Sequence, residues 1–118
     1  MKGKTHLTSK EDFARIYRVG ASWAGSLMVI RIAPNNLTLS RYGFSISKKT
    51  GSAVTRNKLR RRLREIIRNI ELKLGWDIVI TLRPKANEVR FSELRDSLKS
   101  LLRRAELIKN EEFCLKTD

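Results

Sequence analysis

The sequence predicts an α+β fold, a single small two-layer sandwich with element order αβββαβα. Three observations predict it. Apolar residues recur at helical spacing in three separate stretches, period-two alternation fills 27–47, and Ile78, Val79, Ile80 and Leu82 form a short apolar run that reads as a strand buried on both faces. With 118 residues, 41% of them apolar, the chain has material for one core, so one domain is expected over 1–118, its ends (1–6 and 106–118) being candidates for flexible tails.

Thr8 or Ser9, followed by Glu11 and Asp12, caps a first helix that runs to about Gly20 with Phe13, Ile16 and Tyr17 on one face. From Leu27 the period changes to two, with Met28, Ile30 and Ile32 on one side. Pro34-Asn35-Asn36 then supplies turn chemistry, and Leu37 to Ser47 alternates again, with Tyr42, Phe44 and Ile46 opposite Leu39, Arg41, Gly43 and Ser45, so these two strands are expected to pair as a hairpin. Trp23 opens the first of these strands or belongs to one further strand. Ser52 or Thr55 caps a helix expected over Ala53 to Leu74, which Gly75 ends. The buried strand follows at Asp77 to Arg83 and stops at Pro84; Ser92 caps a last helix whose inward stripe is Leu94, Leu98, Leu101, Leu102 and Ala105.

Charge points to the partner. Against 12 acids stand 26 Lys and Arg, a net charge of +14, which steers the protein toward a polyanion. Nine of these cations and a single acid, Glu65, lie between Lys48 and Arg68. At about 100° per residue, Leu59, Leu63, Ile66, Ile67 and Ile70 gather on one side of the helix, while Asn57, Arg61, Arg64 and Arg68 line another with Arg60 at its margin. A solvated surface helix would intersperse Glu to form pairs; this one repels itself unless an anion is present. Its richness in Arg, whose planar fork grips phosphate and stacks on bases, favours nucleic acid over lipid. No membrane is expected as partner, because the apolar face of the helix is needed to cover the sheet.

Catalytic and metal-binding patterns are missing from the sequence. Glu11-Asp12 and Glu111-Glu112 are adjacent acids that point apart on a helix, and His6 with Cys114 is too small a set for a zinc site. No Gly-rich nucleotide cradle is present. Lone Cys114, a charged N-terminus and apolar runs too short for a membrane span fit a cytoplasmic protein. No catalytic residue and no protein-bound metal is therefore expected.

Gly43-Phe44-Ser45-Ile46-Ser47-Lys48-Lys49, followed after three residues by Ala53-Val54-Thr55-Arg56-Asn57-Lys58-Leu59-Arg60-Arg61-Arg62-Leu63-Arg64-Glu65, resembles the bacterial ribonuclease P protein subunit. Leu7, Asp12, Phe13, Tyr17 and Gly20 extend the likeness toward the N-terminus, and the Asp77 to Arg83 strand and the last helix extend it toward the C-terminus. The family's usual Arg-Asn-Arg triplet reads Arg56-Asn57-Lys58 here, which keeps the charge but replaces a planar fork with a point charge.

The resemblance implies an uncommon left-handed βαβ crossover. It also implies a protein that assists RNA-catalysed, metal-dependent endonucleolytic removal of the 5′ leader from precursor tRNA. Its partners would be the catalytic ribonuclease P RNA and precursor tRNA, with no obligate protein partner. Magnesium would be bound mainly by the RNA and none tightly by the protein. Carried over by position, Ser45, Lys48, Lys49, Arg56, Asn57, Lys58, Arg60, Arg61 and Arg64 face RNA, joined by Arg68 from the helical stripe, while Phe13, Tyr17 and Arg31 line a leader cleft. Phe13 has a second reading as a core residue, and Asn57 a second reading as a structural hydrogen-bonding amide. A ribosomal or other structural RNA-binding protein without a processing role is the alternative function, and duplex DNA would also attract this helix.

Overall fold

The computed structural model describes residues 4–7 and 9–108. Its elements are β1 (Lys4–His6), α1 (Lys10–Val19), β2 (Ala21–Ala24), β3 (Met28–Pro34), β4 (Ser40–Ile46), α2 (Ala53–Arg68), β5 (Trp76–Leu82) and α3 (Phe91–Arg104). The strands form one sheet in the order β1-β4-β5-β3-β2. The expected αβββαβα succession is therefore present, with β2 as the further strand around Trp23 and a short β1 added in front of it.

Strand β5 lies at the centre. It pairs antiparallel with β3 and parallel with β4, so the expected hairpin between β3 and β4 does not form. The reason is burial. Ile78, Val79 and Ile80 are all fully buried, and only a central position covers both faces of such a strand. Strand β3 finds its hairpin partner in β2 instead, and β4–α2–β5 is a parallel βαβ crossover between adjacent strands.

The two sheet faces do different work. Met28, Ile30 and Ile32 from β3, Tyr42 and Ile46 from β4, and Ile78, Ile80 and Leu82 from β5 face Leu59, Leu63, Ile66 and Ile67 of α2 and Leu94, Leu98, Leu101 and Leu102 of α3 in the main core. Trp23 and Trp76 pack at its margin. On the opposite face α1 sets Ile16, with Phe13 beside it, onto Ala33 and Val79 and under Leu7.

Several boundaries differ from the sequence expectation. Ser9 caps α1 by accepting from the backbone of Glu11 and Asp12, whereas Thr8 lies outside the described residues. Helix α2 is capped by Ser52 but stops at Arg68, well short of Leu74. Asn69 ends it, donating from Nδ2 to the Glu65 carbonyl at 2.8 Å, and the chain then turns so that Ile70 and Leu72 enter the core and Leu72 bridges to Ile108. Gly75, at φ +88°, is the entry to β5 rather than the end of α2; a left-handed conformation of this kind favours glycine. Ser92 is not a cap: α3 begins at Phe91, and Glu93 Oε1 accepts from the Arg90 backbone at 3.4 Å. Nor are the ends wholly tails, since β1 joins the sheet beside β4 and Leu107 is buried; residues 109–118 lie outside the described residues.

Asp77, at the start of β5, is fully buried on the α1 face. Arg41 of β4 meets it with both arms of the guanidinium, Nε to Oδ1 at 2.9 Å and Nη2 to Oδ2 at 2.7 Å, while Asn35 donates to Oδ1 at 2.8 Å. Arg15 of α1 adds a further bond to Oδ2 and reaches the Pro34 carbonyl at 3.0 Å, and Asp12 accepts from Arg41 Nη1 at 3.1 Å. Burial pushes the Asp77 carboxyl up, but the hydrogen bonds from Arg41 and Asn35 and the charges of Arg41 and Arg15 outweigh it and hold the group below the ordinary carboxylate range.

Asp77→Asn leaves two cations facing an uncharged amide and should lower unfolding stability by about 3 kcal/mol in urea titrations at neutral pH. Because the folded carboxyl titrates lower than the unfolded one, its contribution is complete above about pH 4 and is lost as pH falls through the folded value. The variant should therefore lack that part of the wild-type acid limb, and parallel acid limbs would show that the ion cluster is energetically idle.

Candidate nucleic-acid interface

Helix α2 displays its cations in helical phase. Arg56, Arg60 and Arg64 are half-buried along the flank of the core stripe, and Asn57, Arg61 and Arg68 continue outward into solvent. Few of these charges are neutralised within the chain. Arg68 meets Glu65 at 3.3 Å across one turn, Arg60 donates to the Asn57 amide oxygen at 3.1 Å, and Arg56 Nε donates to the Gly51 carbonyl at 3.3 Å. Arg64 Nε is buried without a hydrogen-bond partner. Lys58 falls on the other flank of the helix, beside Arg62 and near Phe91.

Lys48 and Lys49 are exposed in a 3-10 turn, Lys48–Thr50, that leaves β4. This turn packs against a second one, Pro84–Glu88, that leaves β5. Because β4 and β5 are parallel, both chains exit at the same end of the sheet, and exposed Arg83 and Lys85 join the two lysines there. Sequence reading missed Arg83 and Lys85, since nothing local says that their strand ends beside β4.

The α1 face of the sheet is only half covered. Phe13 and Ile16 occupy the part made by Ala33, Val79 and Gly43. Beyond them Val29, Thr81 and Ser45 remain partly accessible on β3, β5 and β4. Tyr17 stands at the boundary, 44% exposed, its hydroxyl 3.4 Å from Thr81 Oγ1 and its ring capped by Arg31, whose guanidinium carbon lies 4.8 Å from the ring centroid. The structure thus brings Tyr17, Arg31 and Ser45 to one surface and places Phe13, half-buried, at its inner wall. Ser45 and the α2 stripe are on opposite sides of the sheet.

The family model for ribonuclease P matches residues 1–106. A ribonuclease P protein component from Dehalococcoides mccartyi is 42% identical over 120 residues, covering all of both chains. The solved ribonuclease P protein of Thermotoga maritima has a TM-score of 0.76 at 36% identity, over 84% of this chain and 96% of that one. That of Staphylococcus aureus has a TM-score of 0.80 at 32% identity, over 88% and 97%. The chain belongs to the ribonuclease P protein family. It is the protein subunit of a ribonucleoprotein endoribonuclease and acts in tRNA 5′ processing together with an RNA subunit. This displaces the structural RNA-binding alternative.

For a ribonuclease P protein the described residues offer binding chemistry. Among them no three His, Cys, Asp or Glu side chains come together in a way that would hold a metal ion, and no helix is long and apolar enough to cross a membrane. Asp12 and Asp77, the acids closest to the half-open face, are both bound by Arg41.

The floor of the cleft wall is tightly fitted. A Cβ at Gly43 would lie 2.5 Å from Phe13 Cζ and 3.3 Å from Leu7 Cβ. Gly43→Ala should therefore cost about 1–3 kcal/mol by urea unfolding, and shortening the ring in the Phe13→Leu, Gly43→Ala double variant should return part of that loss. Additive losses in the double-mutant cycle would mean that the two residues are not in contact.

Proposed function

We propose that this ribonuclease P subunit binds two RNAs on opposite sides of one sheet, the catalytic RNA along α2 and the 5′ leader of precursor tRNA on the open half of the α1 face. The observation that carries this is the partition itself. One face pairs an exposed aromatic and a cation with accessible sheet residues, a surface suited to an unstacked strand. The other carries a helix whose Arg56, Arg60, Arg61, Arg64 and Arg68 are set for phosphates.

In this reading Asn57, Lys58 and the arginines dock catalytic RNA. Lys48 and Lys49, with Arg83 and Lys85, sit at the sheet end that both faces share, where they offset repulsion between leader and catalytic RNA phosphates. Tyr17, already stiffened by Arg31 and Thr81, offers its free ring surface to a leader base, with Phe13 behind it and Ser45 able to donate to a phosphate or base edge. Magnesium, held by RNA phosphates, supplies the Lewis-acid chemistry of hydrolysis. The chain's own part is to raise affinity for leader-bearing substrate and to lower the ionic cost of assembly. A cytoplasmic setting and action without an obligate protein partner complete the proposal.

The test is reconstitution with a bacterial ribonuclease P RNA at low magnesium. The protein should stimulate leader removal, and its affinity gain should grow with leader length. Tyr17→Ala should reduce that leader-dependent gain about tenfold, as expected for one stacked base, and leave binding to catalytic RNA unchanged. Replacing Arg61, Arg64 and Arg68 by Ala should flatten the salt slope of catalytic RNA binding by about 0.7–0.9 per lost phosphate contact. A leader effect that survives Tyr17→Ala, or a salt slope that does not change, removes the corresponding half of the assignment.

A further inference from the structure

A groove runs between α2 and the start of α3, sharing Arg61 with the arginine stripe and extending from it toward Lys58, Arg62 and Lys99. It has two compartments, one of about 340 Å³ reached by Lys58, Arg61 and Arg62, the other of about 330 Å³ reached by Arg95 and Lys99. Phe91 and Glu65 line both. Ile66 and Ile70 close the inner side of the second compartment, and Phe91 is half-buried against the main core with part of its ring accessible. Glu65 is engaged by Arg68 at 3.3 Å and by Asn69 at 3.1 Å, and Arg95 by Asp96 at 3.1 Å. Among the described residues, Lys58, Arg61, Arg62 and Lys99 form no ion pair with a carboxylate.

We propose that this groove takes an unpaired nucleotide of the catalytic RNA, its base against Phe91 and its flanking phosphates on Arg62 and Lys99. The inference rests on α2 docking that RNA and extends the contact to the helix's other flank. An aromatic side chain between unpaired cations is the arrangement that binds single-stranded nucleic acid, where stacking tolerates any base and phosphates meet charge on either side. A lipid surface would want apolar side chains on the rim; here Ile66 and Ile70 are deep and the rim is charged. The precursor leader is the poorer candidate, because Phe91 belongs to the α2/α3 face and Phe13, Tyr17 and Arg31 lie across the sheet. A second grip on the same RNA fixes the orientation of the protein on that RNA, which a single stripe of long arginines leaves loose.

The experiment compares Phe91→Leu, which keeps apolar packing but removes the ring, with the surface pair Arg62→Glu and Lys99→Glu, using full-length protein and a bacterial ribonuclease P RNA. Each should weaken binding to the catalytic RNA about tenfold, as loss of one stacked base or of two phosphate contacts does. The preference for long over short leaders should stay as in wild type. A benzophenone on Arg95→Cys, in a Cys114→Ser background, should crosslink to an unpaired segment of the catalytic RNA in the holoenzyme. Unchanged affinity in the folded charge-reversed pair overturns the proposal, as do crosslinks to precursor tRNA alone or a loss confined to leader preference. If the Arg61, Arg64 and Arg68 variant binds catalytic RNA like wild type, the docking of α2 itself is wrong; if only the groove variants are silent, α2 docks and the groove does not.

Discussion

A carboxylate with no access to water must find cations, and that requirement organises the α1 side of this protein. Asp77 starts the central strand, so whatever neutralises it is drawn to the middle of the sheet. Arg41 comes from the neighbouring strand and Arg15 from α1, with Asn35 from the loop between β3 and β4 filling a remaining acceptor position. The helix is thereby tied by its Asp12–Arg15 flank and seated by Ile16 and Phe13, which leaves Tyr17 on its other flank as an overhang above the sheet. An apolar contact alone would permit α1 to roll or slide; a two-armed guanidinium contact has a defined direction and distance. A cleft that recognises a flexible strand benefits from a wall held this way, since ordering the wall on binding would subtract from affinity.

The same strand resolves the opposing needs of the two faces. Ile78, Ile80 and Leu82 alternate with Asp77, Val79 and Thr81, and each set meets a different helix environment. One face is fully paved by α2 and α3 and makes most of the core. The other needs only α1, because its polar members are either clamped, as Asp77 is, or left near water, as Thr81 is. Core packing and a partly open polar surface are thus separated within one strand by its period of two.

Much of this was readable in the sequence where the governing forces are local. The Leu59, Leu63, Ile66 and Ile67 stripe and the arginines beside it follow from helical phase alone, and the motif around Ser45 to Glu65 pointed to the RNA partner. Strand order was not local information. Alternating segments separated by Pro34-Asn35-Asn36 look like a hairpin, and only the burial demand of β5, arising forty residues later, pulls them apart. The end of α2 was misplaced because Ile70 keeps the helical phase, while the event that stops the helix is the cap by Asn69 and the later docking of Leu72 against Ile108. Among site residues, Tyr17 and Arg31 were found singly, but their contact, and the convergence of Arg15, Arg41 and Asp77, join positions far apart in the chain. The one local hint was an acid at the head of an otherwise apolar strand.

The placement of charge limits the self-repulsion that so basic a chain must bear in the absence of a polyanion. Asp12 and Asp77, the acids nearest the half-open α1 face, are already bound by arginine, and exposed cations such as Arg61, Arg83 and Lys85 lie on α2 and beside the turn at Pro84. Like charges three or four residues apart on a helix flank repel by only about 0.2–0.5 kcal/mol per pair, and those farther apart than about 8–10 Å are screened, so the repulsion in the free protein is real but modest. An RNA that spans them removes that repulsion at several sites at once. The positive charge is therefore a small burden on the free fold and a large contribution to the assembled one. If α2 docks the RNA as proposed, the affinity of this subunit should depend on ionic strength more than on the sequence of the RNA it holds.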